Sequence, residues 1–424
     1  VVLVSPFRAY LLDARKACDV ASLPYDVFTR EEAADEIALH PQSFLCIDRT
    51  AAILPDVDEY DQEVYIKAKQ LMNESIDTKT YQKDQETRFY LYRMIWEDTE
   101  TVVDSTYDAS TEPSSSHMQL GLVAVVSTDE YRSGIIHRHE NTRPEKLADR
   151  IDHIKTLGAQ ASPVLMTHRY NESISELLVE LQTGSHLHAD FYSPDNIRHT
   201  VWAVDSARNA QVELAYQQLD NLYIADGHHR AEAAAQIGDQ GIFAIIFPAD
   251  MLHIHAYNRA VKDTNGLSPE QFLKALEEFF TVEKPAPDEL VSSLNPLQRG
   301  EYSLLLEEQW YRLTLDESIR PSEVLAALDV SVLHDKVLKP LLGIDDPRTS
   351  PRIMYVGGSL GLDALFECTR AFGDKDSSPL AFAMRAVTFH DFFNVADSGQ
   401  LMPPKSTWFA PKPRSGLLFY SHAG

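Results

Sequence analysis

The chain has 424 residues, 44% of them hydrophobic, enough apolar material for more than one core of usual size. Thirty-eight Lys and Arg stand against 64 Asp and Glu, a formal net charge of −26, which excludes wide non-specific contact with nucleic acid or an anionic membrane. Cys18, Cys46 and Cys368 are too few and too scattered for a disulfide scaffold or a cysteine zinc site, and they fit a reducing, cytoplasmic setting. The opening VVLVSPFRAY reads as a strand leading into Pro6 rather than as a signal peptide, and no apolar run reaches the ~18 residues of a membrane span.

In chain order, Pro24 precedes Tyr25 and Asp26 in a turn, where binding residues are over-represented. Thr29 and Glu32 have capping-box spacing at a helix start. Residues 44–47 read as a short strand, 58–73 as a surface helix and 88–94 as a strand. The Ser- and Thr-rich run 104–116 reads as a loop or hairpin tip. Leu120–Val126 is a short apolar run and predicts a buried strand. Thr142 and Glu145 again have capping-box spacing, with Pro144 in the first turn and Leu147, Ile151 and Ile154 as an apolar stripe. This cap gathers His137, Arg138, His139, Glu140, Asn141 and Arg143 at a helix N-terminus.

Residues 164–166 predict a strand, 173–181 a helix, 200–202 an edge strand and 206–219 a long helix. The most informative stretch is NLYIADGHHRAEAAAQIG, 221–238. An apolar run with β-favouring members meets Asp226, Gly227, His228, His229 and Arg230, and an Ala-rich helix follows. With residues 242–247 it predicts strand, helix, strand in parallel register. Beyond a boundary near 263–267, Ser268, Pro269 and Gln271 open a helix. Residues 302–315 form a hairpin, 322–342 a helix broken at Pro340, and 353–356 and 381–386 strands. The tail MPPKSTWFAPKPRSGLLFY concentrates Lys405, Lys412 and Arg414 in an acidic chain; its end, 417–420, reads as a strand docking back.

Three clusters therefore qualify for one site: Asp226 to Arg230, His137 to Arg143 with Glu140, and Lys405, Ser406, Thr407 and Lys412. A helix start presents unpaired backbone N–H groups and a positive dipole end, which suits phosphate. A carboxylate beside it, Asp226, could hold magnesium or orient a hydroxyl. No GxxxxGK[ST] loop precedes the KST tripeptide, which excludes a P-loop enzyme. The many histidines leave a histidine–metal hydrolase as an alternative, without the H-E-x-x-H arrangement. Asp48, Arg93 and Arg259 read as members of structural ion pairs, and Glu140 equally as a cap or a catalytic carboxylate.

PFR, LPYDV, FLCIDR, GLVAVVS, RHENTRPEKLADR, SPVLMTH, YIADGHHR and MPPKSTWFAPKPRSGL, in that order over about residues 6–417, resemble a widespread bacterial and archaeal family of unknown function. The DGHHR motif resembles the phosphate box of the ParB and sulfiredoxin superfamily, whose members include free-serine kinases. That resemblance implies phosphate or nucleotide binding by Gly227, His228, His229 and Arg230, with Asp226 near the metal or the acceptor hydroxyl. Arg143, Lys405, Ser406, Thr407 and Lys412 are further candidates for the phosphate, Asp226 and His228 are also candidates for catalysis, and Glu140 is the candidate base by neighbourhood. Tyr25, Asp26 and Arg259 are candidates for substrate contact. A sulfiredoxin reaction is excluded because no cysteine adjoins the box, and the acidic chain shows no basic helix pair for DNA.

The expectation is an α/β (α+β mixed sheet) protein with a ParB/sulfiredoxin-like core at 120–262, an N-terminal α/β region at 1–119, and a C-terminal region at 263–424 whose tail packs back on the core. It would be a small-molecule kinase using ATP or ADP and magnesium at Asp226 on a hydroxylated acceptor, free serine among them, with a small phosphorylated ligand, no nucleic acid, no membrane and room for a homo-oligomer. A non-catalytic nucleotide-binding regulator would share the same residues.

Overall fold

The computed structural model describes residues 1–97, 116–238, 241–373 and 377–422. They fall into two compact units, one of 1–97, 116–238, 241–252 and 411–422, the other of 253–373 and 377–410. The chain is α/β, with mixed sheets and helices.

In the first unit nine strands make the main sheet among the described residues: β1 (Val4–Ser5), β2 (Tyr90–Glu97), β3 (Ser116–Val126), β4 (Ile136–His137), β5 (Val164–His168), β6 (His186–Tyr192), β7 (Arg198–Ala203), β8 (Leu222–Asp226) and β9 (Ile242–Pro248). The order across it is β4-β8-β5-β9-β3-β2-β7-β6, with β1 paired to β3. Every residue of β3 from Gln119 to Val126 is buried, which explains its unbroken apolar run. Leu91, Leu122, Met166, Leu178, Tyr216, Ile224 and Ile246 belong to the core on this sheet.

Helices α1 (Arg30–Leu39), α2 (Gln62–Asp77), α3 (Pro144–Leu157), α4 (Glu172–Gly184), α5 (Asn209–Tyr216) and α6 (His228–Ile237) belong to the same unit. Thr29 and Glu32 form the expected capping box of α1, satisfying two orphan N–H groups. Val64, Tyr65, Ala68 and Met72 give α2 one buried face. Helix α3 packs on both α2 and α6. The tail returns as the strand Leu418–Ser421, between Tyr10–Leu12 and Ala159–Gln160 in a smaller antiparallel sheet.

The second unit is built on an antiparallel sheet of β10 (Tyr257–Val261), β11 (Phe280–Glu283), β12 (Glu301–Leu306), β13 (Gln309–Leu315), β14 (Ile353–Gly357) and β15 (Leu380–Met384), in the order β11-β13-β12-β15-β10-β14. The hairpin β12–β13 turns on Glu307 and Glu308, both at positive φ, as a two-residue primed turn requires. Helix α7 (Pro269–Leu276) has the expected capping box from Ser268 and Gln271. Helix α8 (Gly361–Phe372) packs on β10, β14 and β15, and α9 (Phe389–Asp397) follows.

Several expectations are corrected. Residues 44–47 are not a strand: Leu45–Asp48 is a helical turn, since a short buried apolar run carries no period of its own. Strands β8 and β9 are not parallel neighbours. Strand β5 lies between them, antiparallel to β8 and parallel to β9, because spacing shows that a helix joins two strands but not what is inserted between them. The α3 cap is Arg143 without a side-chain bond, one residue later than Thr142, because Pro144 takes the first helical position. Its buried face carries Arg150 and His153 beside Ile154 and Leu157, so the expected stripe is rotated and partly polar. The helix expected over 206–219 is a short turn, Ser206–Arg208, followed by α5. Of the loop expected over 104–116, residues 104–115 lie outside the described residues.

Gly121 sits within β3, where an added Cβ would lie 2.7 Å from Phe247 Cδ1 and 2.8 Å from the Ile246 carbonyl oxygen. Backbone cannot give way there as a flexible side chain could. Gly121→Ala is expected to cost about 1–3 kcal/mol of stability, read as a lower urea midpoint with unchanged m-value.

Candidate functional site

Strand β8 ends at Asp226, and Gly227 turns the chain into α6 with φ +93°, a left-handed conformation that glycine adopts without steric cost. An added Cβ at Gly227 would lie 2.9 Å from three atoms of the Arg230 guanidinium group, so the glycine also makes room for that side chain to fold back. Arg230 Nη2 donates to Asp226 Oδ2 at 3.1 Å and lies 3.8 Å from Asp26 Oδ2, while Nη1 donates to the Pro163 carbonyl. From the tail, Lys412 Nζ reaches Asp226 Oδ1 at 2.8 Å. Both oxygens of one carboxylate are thus held by cations. Burial alone would raise the Asp226 pKa, but Lys412 and then Arg230 outweigh it and hold the carboxyl well below its ordinary value.

The histidines do not act as cations. His139 is 1% exposed and donates from Nδ1 to the Ile224 carbonyl at 2.9 Å, and burial pushes its pKa down to about 4. His228 packs edge-on against it, 4.5 Å between ring centres, and burial, with His139 beside it, lowers its pKa well below the ordinary value. His229 Nε2 accepts the Arg143 backbone N–H at 2.9 Å, and its pKa is likewise about 4, chiefly from burial. The N-terminus of α3 is therefore tied to that of α6 by a neutral imidazole, and the positive charge rests on Arg230 and Lys412. Glu140 lies half-buried in the loop between β4 and α3.

Beneath the Arg230–Asp226 pair runs a buried polar layer whose roles the sequence did not signal. Ser162 Oγ donates to Asp48 Oδ2 at 2.5 Å, and Ser415 Oγ lies 2.8 Å from Ser162 Oγ. A hydroxyl has one proton, so with that of Ser162 given to the carboxylate, Ser415 is the donor in the second bond. Arg150 on α3 reaches Asp48 Oδ1 at 3.4 Å and Asp149 Oδ2 at 2.7 Å, and lies 4.0 Å from the Tyr25 ring centre. Tyr25 is buried and its hydroxyl pushed above the ordinary phenol range by that burial. These residues stand inside the LPYDV, FLCIDR, LADR, SPVLM and PRSGL segments, which marked them as motif members but not as a layer. The same tail is pinned by Arg414 Nη2 on Asp195 Oδ1 at 2.5 Å and by Tyr81 donating to the Gly416 carbonyl at 2.5 Å.

Asp226, Gly227, His228, His229, Arg230, Arg143, Glu140, Tyr25, Asp26 and Lys412 all belong to the first unit; Arg259, Lys405, Ser406 and Thr407 belong to the second. There Arg259 is 4% exposed, and its Nη2 donates to the Lys405 carbonyl at 3.3 Å. Ser406 donates to the Pro403 carbonyl at 2.6 Å, Thr407 is buried, and Lys405 lies over the Tyr257 ring at 5.1 Å. The expected ion pair holds for Asp48 with Arg150. It fails for Arg259 and Arg93, which have no carboxylate partner among the described residues; Arg93 lies over the Trp202 ring instead.

Pro24, Pro163, Leu165, Asp226, Arg230 and Lys412 line a small crevice, open to solvent, whose free space is about that of one water molecule, so a ligand would sit at its mouth. Magnesium does not fit the residues present: both Asp226 oxygens carry cations, and no group of three potential ligands exists among the described residues. The histidine–metal alternative finds no support either, since that absence of a three-ligand group covers His and Cys as well as Asp and Glu. Among the described residues no helix is long and apolar enough to cross a membrane.

Two outcomes follow from this geometry. Gly227→Ala is expected to destabilise by about 1–3 kcal/mol, because the left-handed backbone and the guanidinium contact both penalise a Cβ; thermal denaturation measures it. The second concerns pH. His139 and His229 have folded pKa values of about 4 against 6.5 in an open chain, so the unfolded state binds their protons first. Their contribution to stability is complete above 6.5 and is lost as pH falls towards 4. Melting temperature should drop across that interval, and less steeply in His139→Asn, whose amide can still donate to the Ile224 carbonyl.

No curated protein matches the chain. Among solved structures, a free serine kinase in complex with AMP is similar at 15% identity and a TM-score of 0.34, covering 68% of this chain and 87% of that one. SbnI from Staphylococcus aureus, truncated at its C-terminus, aligns at 11% identity and a TM-score of 0.38 over 71% and 88% of the two chains. A conserved hypothetical protein from Pyrococcus furiosus aligns at 15% and 0.34 over 70% and 95%. Similarity at that level describes the outline of a chain and assigns no chemistry to it. The family model that matches spans residues 4–331, more than half the sequence, and the chain accordingly belongs to the family described as protein of unknown function DUF1015.

Proposed function

We propose that the first unit binds the phosphate group of a small phosphorylated molecule, a nucleotide such as ATP or ADP foremost, at the start of α6. The observation that carries this reading is the Lys412–Asp226–Arg230 cluster, which lines a crevice open to solvent at the start of α6. Asp226 fixes both cations in place. Lys412 has three N–H donors and spends one on Asp226, so donors remain for a ligand, beside the open first-turn N–H groups of α6. The nucleoside of a nucleotide would extend beyond the cleft. In this proposal the ParB/sulfiredoxin-like core is the setting of the box, with Gly227 and Arg230 shaping it and Arg143 at its rim.

The reaction we assign to such a site is phosphoryl transfer to a small hydroxylated acceptor, free serine among the candidates. Transfer of this kind asks chiefly for positioning and charge neutralisation, which Lys412 and Arg230 supply. Glu140 is the proposed base, and Tyr25 and Asp26 the proposed acceptor side. Asp226 is held so far below neutral pH that it is a poor base, and His228 is buried and turned to backbone. Those two facts favour a second reading, a nucleotide-binding regulator without turnover.

Arg230→Ala is a poor test, since it strips a buried pair and could cost ~3–5 kcal/mol by itself. Lys412→Met is cleaner, because Asp226 keeps Arg230. Nucleotides and inorganic phosphate should raise the melting temperature of the wild-type chain, and Lys412→Met should weaken that binding at least about tenfold, as loss of one charge-assisted bond implies. Equal binding by the two proteins would overturn the site. Binding with no consumption of ATP or ADP across a panel of hydroxy compounds would select the regulator.

A further inference from the structure

The second unit contains a cleft that the phosphate site does not use. It is small and open to solvent, with free space for about one water molecule, and among its lining residues are Arg299, Asp329, Arg385 and Asp391. Arg385 directly follows β15, whose Met384 is the last strand residue. Its Nε is buried without a hydrogen-bond partner, and no ion pair or ring contact holds its guanidinium group among the described residues. Other arginines in this unit are tied down: Arg320 pairs with Asp329 at 2.9 Å and Glu317 at 2.7 Å, and Arg352 with Asp263 at 2.5 Å. A half-buried guanidinium group with a buried donor left unmade costs about 1–3 kcal/mol, which the fold does not recover internally.

The acidic neighbours do not relieve it. Asp329 Oδ1 is taken by Arg320 and by the Gly300 N–H at 3.1 Å. Asp391 accepts from the Thr388 hydroxyl at 2.7 Å, in the cap of α9. Arg299 Nη2 is spent on the Ala327 carbonyl at 3.0 Å, which leaves its other donors at the rim. The cleft thus offers one unused planar fork, a second arginine beside it, and two carboxylates that would repel a doubly charged group. A singly charged planar carboxylate matches this set, since it accepts two parallel bonds from a guanidinium group and brings less negative charge near Asp329 and Asp391 than phosphate does.

We infer that this cleft is a binding site for the carboxylate group of a small organic acid, with Arg385 as the residue that grips it and Arg299 assisting. The site is independent of the proposed phosphate site: its residues all lie in the second unit, and neither Lys412 nor Asp226 is among them.

The experiment uses the full chain with the monocarboxylate propionate and, separately, inorganic phosphate as probes, read by calorimetry and by thermal shift. Propionate should bind the wild-type chain and raise its melting temperature. Arg385→Gln should melt no lower than the wild type without ligand, because no hydrogen bond or ion pair is lost, and should bind propionate at least about tenfold more weakly. Lys412→Met should bind propionate as the wild type does. Failure of propionate to bind the wild type, or equal binding by Arg385→Gln, would overturn the site. A large loss of unliganded stability in Arg385→Gln would overturn it too, by showing that the guanidinium group serves the fold. Phosphate binding that depends on Arg385 while propionate binding does not would overturn the assigned ligand class.

Discussion

A carboxylate that is mostly buried stays ionised only if cations are brought to it, and Asp226 draws one from the first turn of the next helix and one from the far C-terminal tail. Its side chain is 26% exposed, that of Arg230 8% and that of Lys412 14%. Desolvating three charges is costly and is recovered only by close, well-aligned pairing. Much of the first unit serves that pairing. Gly227 clears space for the guanidinium group, Pro163 gives it a carbonyl, α3 supports the turn through Arg143 and His229, and the tail is stapled just after Lys412 by Arg414 and Gly416. The acidic surface elsewhere makes the two cations conspicuous without helping to hold them.

This arrangement changes what the DGHHR motif means. Read as letters, it offers two imidazoles and a guanidinium group to an anion. In the fold the imidazoles are neutral, His229 ties one helix start to the other, and only the arginine carries positive charge. The missing second cation comes from Lys412, which no local pattern links to Asp226. An electrostatic site has been divided between a rigid turn and an extended strap.

What could be read in advance follows the range of the forces involved. Local chemistry was legible: the capping boxes at Thr29 and Ser268, the hairpin at 302–315, and the strand, turn and helix around Gly227 all depend on neighbours within a few residues. The return of 417–420 as a strand was legible because its apolar residues end a polar, proline-rich segment. Long-range choices were not. Nothing local says that Val164–His168 inserts between the strands flanking α6, or that Asp48, Ser162 and Ser415 share one proton-ordered layer. The protonation of the histidines was hidden for the same reason, since burial is a property of the assembled unit.

The position of Leu418–Ser421 has a consequence for how the protein fails. That strand is hydrogen-bonded on both sides, to Tyr10–Leu12 and to Ala159–Gln160. Proteolysis in the proline-rich strap would therefore open two strand edges at once, each a template for pairing with another chain. The same cut would leave Asp226 with one cation instead of two. Loss of the ligand site and gain of self-association would thus share a single cause, so intact tails and aggregation-free protein should be selected together.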